Sequence, residues 1–233
     1  VVGQIHITRT LQNALTMNRV AHGYLFSGPR GVGKTTTARI LAKVLSCENP
    51  QDRNPCNKCV NCKNITKGSS LDVQELDGAS NRGIDEMREL REAVKYPPNN
   101  GEYRIYIIDE VHMLTREAFN ALLKTLEEPP PHIIFIMATT DAHKVPVTIL
   151  SRTQKFDFKP ISVNDISTYL EGILIKEKIT YEEEGINLIA QKADGSLRDS
   201  LSLLDQVIAY TSEALNVETV KDILGIIEEH VFL

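Results

Sequence analysis

Residues Gly28 to Thr35 read Gly-Pro-Arg-Gly-Val-Gly-Lys-Thr and match the pattern G-x-x-x-x-G-K-[ST] in full. Glycines let such a loop wrap with its backbone N–H groups pointing inward, where they can surround phosphate groups. Lys34 can reach the terminal phosphates of a nucleotide, and the Thr35 hydroxyl can bind Mg²⁺. We therefore expect ATP and Mg²⁺ as ligands. The predicted contacts are Gly28, Pro29, Gly31, Val32, Gly33, Lys34, Thr35 and Thr36. The alternative is that the segment is an incidental glycine-rich turn before a helix.

Two adjacent carboxylates follow the apolar run 105–108, about 75 positions after the loop. Open α/β sheets bind ligands at the carboxyl ends of their strands. Asp109 is therefore predicted to hold the magnesium ion through water, and Glu110 to orient and polarise the attacking water. The alternative is a helix N-terminus that carries acids to suit its dipole. His112 lies two residues further on, and no catalytic role is assigned to it, because a single histidine there is more often packed or solvated.

Three further polar residues stand at the ends of predicted elements. Thr140 follows the apolar run 133–138, so its hydroxyl can bond the water or the γ-phosphate if this strand neighbours the acidic pair; the alternative is a local turn. Arg198 falls in the first turn of a predicted helix, against the dipole preference, and either contacts phosphate or pairs with a surface acid. Arg152 lies at the edge of the nucleotide domain, where it is either solvated or an arginine finger for a neighbouring subunit.

The four cysteines fall within sixteen positions, in the order Cys47-x8-Cys56-x2-Cys59-x2-Cys62. Two overlapping C-x2-C steps have the spacing of tetrahedral zinc sites, and four thiolates leave no open coordination position. The sequence thus predicts a structural Zn²⁺ site in a polar insertion at about residues 46–68, where the metal replaces a core that the insertion cannot form. An iron–sulfur cluster is the alternative.

Positioning these groups requires a scaffold, and residues 23–158 alternate short apolar runs with amphipathic stretches, as in a parallel sheet flanked by helices. Near-continuous apolar runs such as 133–136 suit strands buried on both faces. Five strands are predicted, at Tyr24 to Ser27, Val73 to Leu76, Ile105 to Ile108, Ile133 to Ala138 and Lys155 to Phe158. Helices are predicted at Lys34 to Leu45, Ile84 to Val94 and Arg116 to Leu126, the last capped by Thr115.

Beyond Lys159-Pro160 the strand signals vanish and a small helical domain is predicted. Ser162 and Ser196 each precede a carboxylate by three positions, a variant of the capping box. The chain therefore divides into a nucleotide-binding domain, residues 1–159, and a helical domain, residues 160–233. The helical patterns lie near Val163 to Lys176, Glu182 to Lys192, Leu197 to Tyr210 and Val217 to Ile227.

Composition excludes several classes of protein. The 233 residues are 42% hydrophobic and carry a formal charge of −5, with a pI near 5.7. A sizeable core is expected, and any contact with DNA must be local, because no global basic field exists. No apolar run approaches the roughly 20 residues of a membrane helix, so no membrane partner and a cytoplasmic location are expected. The absence of an initiating Met suggests that further residues precede Val1.

Taken in order, the loop, Asp109-Glu110, Thr139-Thr140, Leu150-Ser151-Arg152, the segment 195–199 and the cysteine insertion resemble the gamma/tau family of bacterial DNA polymerase III clamp-loader subunits. The segments 79–85 and 119–130 share the resemblance, which spans essentially the whole chain. It implies an AAA+ P-loop fold: a three-layer α/β nucleotide domain with a parallel sheet and a zinc-binding insertion, followed by a helical lid.

The resemblance also implies partners and roles. Members of this family form a ring-like pentamer with delta and delta-prime subunits and other copies of themselves, bind ATP at subunit interfaces, and open the sliding clamp and release it on primed DNA. Thr140 then matches the first sensor position, Arg152 the finger acting in trans, and Leu197 with Arg198 the second sensor in the lid. The start of the chain matches the segment lining the adenine pocket, with Val1 and Val2 as contacts. Arg82 and Lys124 are candidates for contacting the DNA backbone.

Two departures from the family pattern matter. Thr153 stands where the family usually has Cys after the finger arginine, with little consequence expected because the arginine carries the charge. The family also has a helical collar domain that holds the pentamer, and this chain stops near where the collar begins. Alone it is expected to bind ATP but to assemble and turn over poorly.

Two other classes of function remain as alternatives. One is a nucleic-acid-remodelling ATPase such as a helicase, although no strand-tracking motif is found. The other is a non-catalytic scaffold of the delta-prime type, which has no need of the intact Lys34 and Asp109-Glu110. No polymerase active site is expected.

Overall fold

Five parallel strands form the sheet that carries most of the predicted site residues, in a computed structural model that describes residues 1–211 and 214–225. The strand order is β2-β3-β4-β1-β5, so that β1, β3 and β4 are internal and β2 and β5 are edges. The strands are β1 (Gly23–Ser27), β2 (Val73–Asp77), β3 (Arg104–Asp109), β4 (Ile133–Thr139) and β5 (Gln154–Asp157).

Internal strands are apolar because helices cover both faces of the sheet. All residues of β1 and β4 are buried, whereas most of β2 and β5 is exposed. On one face, Tyr106 and Phe135 pack with residues of α4 and α5, among them Met87 and Leu122. On the other face, α2 packs against β3 and β4. The helices around the sheet are α1 (Ile5–Thr16), α2 (Lys34–Ser46), α3 (Val60–Lys67), α4 (Ile84–Ala93), α5 (Arg116–Glu127) and α6 (Val147–Leu150).

The five strands and the three helices predicted over residues 23–158 are observed with ends within one residue of the prediction. The Thr115 cap is also observed, since its Oγ1 accepts a hydrogen bond from the Ala118 N–H at 3.2 Å. The predictions missed α1, α3 and the single turn α6.

A second, helical assembly follows Lys159 and has its own core. Ile166 and Leu170 of α7 pack with Ile186 and Ile189 of α8 and with Leu204 of α9. Ser162 and Ser196 accept hydrogen bonds from the Asp165 and Asp199 N–H groups, as the capping pattern predicts. The helices are α7 (Val163–Glu177), α8 (Glu183–Lys192), α9 (Leu197–Thr211) and α10 (Val217–Leu224).

Beyond Pro160 the structure adds two short strands that the predictions did not include. Two-residue strands β6 (Thr180–Tyr181) and β7 (Ala214–Leu215) pair in parallel, and they are too short to leave a periodic signal. The predicted helix at Val217 to Ile227 is observed up to Leu224, with Gly225 as its C-cap; Ile226 and Ile227 lie outside the described residues.

By their internal contacts, the described residues form two compact units. The sheet unit comprises residues 6–28 and 34–158. The helical unit comprises the residues from Lys159 onwards together with Val1–Ile5 and Pro29–Gly33. Within the ranges that the structure describes, no helix combines the length and the apolar character needed to cross a membrane.

Candidate nucleotide site and cysteine cluster

The phosphate-binding loop leaves β1 through Gly28, whose backbone has a φ of +146°. A Cβ atom at this position would overlap with the carbonyl oxygen of Phe158, so only glycine fits. The Gly28 N–H donates to the carbonyl oxygen of Thr139 at the end of β4 (3.2 Å). The start of the loop is therefore held between the ends of two neighbouring strands.

Lys34 and Thr35 open α2 and face the carboxyl edge of the sheet. Lys34 is buried, and its Nζ donates to the Gly28 carbonyl oxygen at 2.8 Å. The Thr35 Oγ1 donates to the Asp109 Oδ2 at 2.7 Å. A threonine hydroxyl and a carboxylate that lie within one hydrogen bond of each other are the pair of oxygen ligands that P-loop proteins offer to Mg²⁺.

Glu110 follows β3 in a left-handed backbone conformation, with a φ of +46°. Its carboxylate oxygen Oε2 accepts two hydrogen bonds from Thr140 of the adjacent strand end, from Oγ1 at 3.0 Å and from the N–H at 3.3 Å. The contact forms because β3 and β4 are neighbours in the sheet. The structure thus brings Asp109, Glu110 and Thr140 together with Lys34 and Thr35 at one edge of the sheet.

His112 also contacts this group, although the sequence prediction gave it no role. Its Nδ1 lies 3.3 Å from the Glu110 Oε2 and 3.0 Å from the Thr139 Oγ1, and the side chain is only 10% exposed. The short 3-10 turn after the acidic pair brings His112 beside the end of β4, and the sequence holds no signal for this contact.

In the helical unit, the middle of the loop packs against the start of α9. The Leu197 N–H donates to the Gly31 carbonyl oxygen at 3.0 Å. A Cβ at Gly31, where φ is +77°, would overlap with the Ser196 Oγ and lie 3.4 Å from the Cβ of Arg198. Leu197 and Arg198 are therefore adjacent to residues of the phosphate loop.

The first residues of the chain belong to the same unit. The Gln4 side chain is fully buried, donates to the Lys159 carbonyl oxygen at 2.6 Å and accepts from the Lys159 N–H at 3.2 Å. A Cβ atom placed on Gly33 would lie 3.7 Å from the Val1 Cγ1. The segment that includes Val1 and Val2 therefore lies beside the loop.

Arg152 has contacts of its own, on α5 and α6. Its Nη1 donates to the Thr148 carbonyl oxygen at 2.9 Å, and its Nη2 pairs with the Glu127 Oε1 at 3.1 Å. Among the described contacts of the sheet unit, none joins Arg152 to Lys34 or Glu110. Arg82 and Lys124 are both exposed.

The sulfur atoms of Cys47, Cys56, Cys59 and Cys62 all lie within 4.8 Å of one another. Backbone N–H groups donate to three of these sulfurs, including Cys56 N–H to the Cys47 Sγ (3.3 Å) and Cys62 N–H to the Cys59 Sγ (3.4 Å). Such N–H···S bonds stabilise thiolates. The cluster therefore fits a tetrahedral metal site with four thiolate ligands.

Two thiols of the cluster, those of Cys56 and Cys62, have pKa values shifted in opposite directions. Hydrogen bonds from the Lys58 and Cys59 N–H groups lower the pKa of Cys56 to about 6. Burial raises the pKa of Cys62 to about 12. A metal ion therefore has to displace a proton from Cys62 at neutral pH, whereas Cys56 is already ionised.

Residues of both units match models of known protein families. Residues 3–162 match a family model described as DNA polymerase III, delta subunit, and residues 165–213 match one described as DNA polymerase III clamp loader subunit, ATPase lid domain. The chain belongs to the clamp-loader subunits of DNA polymerase III. The resemblance drawn from its motifs is thereby confirmed at the level of the family.

Relatives of this clamp-loader chain include DNA polymerase III subunit tau of Bacillus subtilis, 54% identical over 98% of the chain and 41% of the relative. DNA polymerase III subunit gamma of Buchnera aphidicola subsp. Acyrthosiphon pisum is 47% identical over 98% of the chain and 63% of the relative. The chain therefore spans less than two thirds of the length of either.

Solved structures with a similar fold include RuvB of Thermotoga maritima, described as a Holliday junction branch migration motor. It has a TM-score of 0.70 and 17% identity over 96% of the clamp-loader chain and 69% of RuvB. At this identity the likeness shows the fold alone, a parallel α/β sheet together with a helical unit.

Proposed function

We propose that the chain is the ATP-binding and ATP-hydrolysing part of a gamma/tau-type motor subunit of the bacterial clamp loader, which loads the sliding clamp onto primed DNA during replication. The observation that carries the proposal is the convergence of Lys34, Thr35, Asp109, Glu110 and Thr140 at one edge of the sheet. The names of the relatives support the family context.

Each group at this edge has a role that its chemistry supports. Lys34 neutralises the terminal phosphates of ATP, and Thr35 with Asp109 holds Mg²⁺. Glu110 accepts a hydrogen bond from the attacking water and orients it, as a general base does. Thr140 holds the Glu110 carboxylate through two hydrogen bonds. Its hydroxyl is also proposed to contact the γ-phosphate or the attacking water.

Residues of the helical unit are also proposed to contact the nucleotide. Leu197 and Arg198 begin α9 next to Gly31, which suits a residue that senses phosphate. Val1 and Val2 are proposed to contact the adenine. Arg152 is proposed to act in a neighbouring subunit as an arginine finger, which stabilises charge on the transferred phosphoryl group.

Assembly and the metal complete the proposal. The partners are the delta and delta-prime subunits, other copies of the same subunit, the clamp and primed DNA, with Arg82 and Lys124 as candidate contacts to the DNA backbone. Zn²⁺ is proposed to bind the four cysteines and to replace the core that the polar insertion lacks. Four thiolates complete the tetrahedral coordination of zinc and leave no open position, so the proposed role of the ion is structural.

The alternatives fit less well. A non-catalytic scaffold of the delta-prime type has no use for the hydrogen bonds that fix the Glu110 carboxylate. A branch-migrating or helicase ATPase is supported only by the fold that the chain shares with RuvB, at 17% identity.

The decisive experiment compares the full-length wild-type protein with Glu110→Gln in the presence of its partner subunits, clamp and primed DNA. We expect wild-type ATP hydrolysis to be stimulated by clamp and DNA. In the variant it should fall by about 10²- to 10⁴-fold while ATP binding is retained, because only the water-activating group is lost. Glu117→Gln, an acid in the first turn of α5, is the control. A wild-type rate that ignores clamp and DNA would refute the loader function.

A further inference from the structure

The Glu110 carboxylate is held through one of its two oxygens. Thr140 Oγ1, Thr140 N–H and His112 Nδ1 all approach Oε2, at 3.0, 3.3 and 3.3 Å. The two hydrogen bonds from Thr140, with the imidazole lying beside them, fix the rotation of the carboxylate. The second oxygen, Oε1, is thereby presented as the one that can accept a hydrogen bond from water.

The contact of His112 with Glu110 determines where the imidazole carries its hydrogen. An ionised carboxylate only accepts hydrogen bonds, so the nitrogen that approaches it must be a donor. Nδ1 therefore carries a hydrogen, which it donates to the Thr139 Oγ1 at 3.0 Å while it lies 3.3 Å from the Glu110 Oε2. Thr139 is in turn fixed, because its Oγ1 accepts from the Asp141 N–H at 3.0 Å.

The surroundings make this contact persistent. The His112 side chain is 10% exposed, whereas that of Glu110 is 34% exposed. The flanking Val111 is fully buried in the core of the sheet unit, and His112 itself sits in a single 3-10 turn. Glu110, by contrast, has the left-handed backbone conformation that a residue other than glycine adopts only when its surroundings hold it there.

We propose that His112 is a positioning residue for ATP hydrolysis, which uses its Nδ1–H to hold the Glu110 carboxylate with Oε1 turned to the attacking water. His112 does not touch the nucleotide in this scheme; it acts through Glu110. The inference rests on the proposed ATPase function and adds to it a second donor beside Thr140.

The kinetic test uses substitutions that place a donor at one imidazole nitrogen or at neither. The amide nitrogen of His112→Asn stands about where Nδ1 stood, the amide of His112→Gln reaches towards the Nε2 position, and His112→Phe keeps only the ring. In the full-length protein with its partners, clamp and DNA, we expect kcat to fall on the order of tenfold or more for Phe and Gln, and to be largely restored by Asn. KM for ATP should stay unchanged, because substrate binding does not use His112. His143→Phe, at an exposed histidine, is the control.

A second measurement tests the contact without any turnover. In the full-length protein labelled with ¹⁵N-histidine, the His112 resonances should show a hydrogen on Nδ1, and Glu110→Ala should shift that equilibrium towards Nε2–H. A bare Nδ1 in the wild type, or equal kcat values for the Phe, Gln and Asn variants, would overturn the inference. Neither result would touch the ATPase function, which fails only if Glu110→Gln hydrolyses ATP at the wild-type rate.

Discussion

Two residues of the site depend on backbone conformations that most side chains avoid. Gly28 turns the chain out of β1 at a φ of +146°, and Glu110 leaves β3 at a φ of +46°. A left-handed residue other than glycine costs roughly 1–2 kcal/mol, which the surrounding hydrogen bonds have to offset. At Glu110 the backbone N–H donates to the Asp109 Oδ1 at 2.9 Å and the carbonyl oxygen accepts from the Met113 N–H at 2.9 Å, so hydrogen bonds on both sides of the residue hold this conformation.

We predict that Gly28→Ala disables the loop. The added Cβ would overlap with the Phe158 carbonyl oxygen, and backbone cannot move aside as a flexible side chain can. Denaturant unfolding should show a loss of roughly 1–3 kcal/mol, and ATP binding should weaken strongly in a fluorescence titration.

Gly172→Ala is the matched control for this prediction. Gly172 lies within α7, and a Cβ there has no neighbour within 4 Å, so alanine should raise stability by roughly 0.5–1 kcal/mol. Equal stability and ATP affinity for Gly28→Ala and the wild type would contradict the steric argument.

Among the elements, the cysteine insertion between α2 and β2 depends most on a ligand. Its one helix, α3, has two buried residues, Cys62 and Ile65, and Cys59 caps it by accepting a hydrogen bond from the Cys62 N–H. A module with so small a core is held by its metal rather than by burial of apolar surface. The state of the thiols should therefore control its folding.

Zinc affinity is expected to rise with pH. Around neutral pH the Cys62 thiol, with its pKa near 12, must lose a proton to bind zinc, so each increase in pH favours binding. Below about pH 6 the Cys56 thiol is protonated as well, so affinity should fall more steeply there. Competition with a chromophoric chelator between pH 5 and 8 measures both slopes. A pH-independent affinity would contradict the assignment of thiol ligands, and Cys59→Ser should weaken binding at every pH.

The elements also show what the sequence could and could not predict. Strands β1, β3 and β4 were found because burial on both faces forces uninterrupted apolar runs. The helix α1 was missed because it buries only Ile7 and Leu11, too few positions for a clear helical period. The paired strands β6 and β7 have two residues each, and only tertiary contacts define them.

Some residues of the candidate site could be predicted from the sequence and others could not. Local motifs predict Lys34, Thr35, Asp109 and Glu110. The prediction of Thr140 also needs the assumption that two strand ends are neighbours. His112 could not be assigned, because its role depends on where one imidazole nitrogen lies relative to the Glu110 carboxylate. No spacing along the chain carries that information.

At the scale of the whole molecule, the proposed machinery is incomplete without a neighbour. The groups for ATP lie at the carboxyl edge of the sheet, while Arg152 is paired with Glu127 on α5. The ion pair holds the guanidinium in one orientation on the surface of the chain. A residue that acts on another copy benefits from such preorganisation, because less side-chain freedom is lost on assembly.

We predict that two inactive chains restore each other's activity. In the full-length protein with its partners, Glu110→Gln and Arg152→Ala should each lower ATP hydrolysis by at least about a hundredfold. In a mixture of the two, an interface between an intact Glu110 and an intact Arg152 becomes available, and hydrolysis should recover in part. If the two variants assort randomly in a 1:1 mixture, roughly a quarter of the interfaces are intact. Each interface takes Glu110 from one chain and Arg152 from the next, and each of these residues is intact in about half of the chains.

Steady-state rates at several mixing ratios measure this recovery, which should be greatest near equal amounts. Arg116→Ala, at the start of α5, replaces Arg152→Ala in the control mixture. If the mixture is no more active than either variant alone, Arg152 does not act in trans.

The strand order has a consequence for how copies of the chain meet. Both edges of the sheet end in exposed carboxylates whose pKa values are lowered: that of Asp77 on β2 chiefly by a hydrogen bond from Ser80, and that of Asp157 on β5 chiefly by one from Ser27. Glu75 is a further charged residue on β2, and its carboxylate forms a bidentate ion pair with the guanidinium of Arg39. Charged edge strands resist the edge-to-edge pairing that leads to aggregation, and lowered pKa values keep these charges in place well into acidic solution. The sheet is thus protected from pairing edge to edge with the sheet of another molecule.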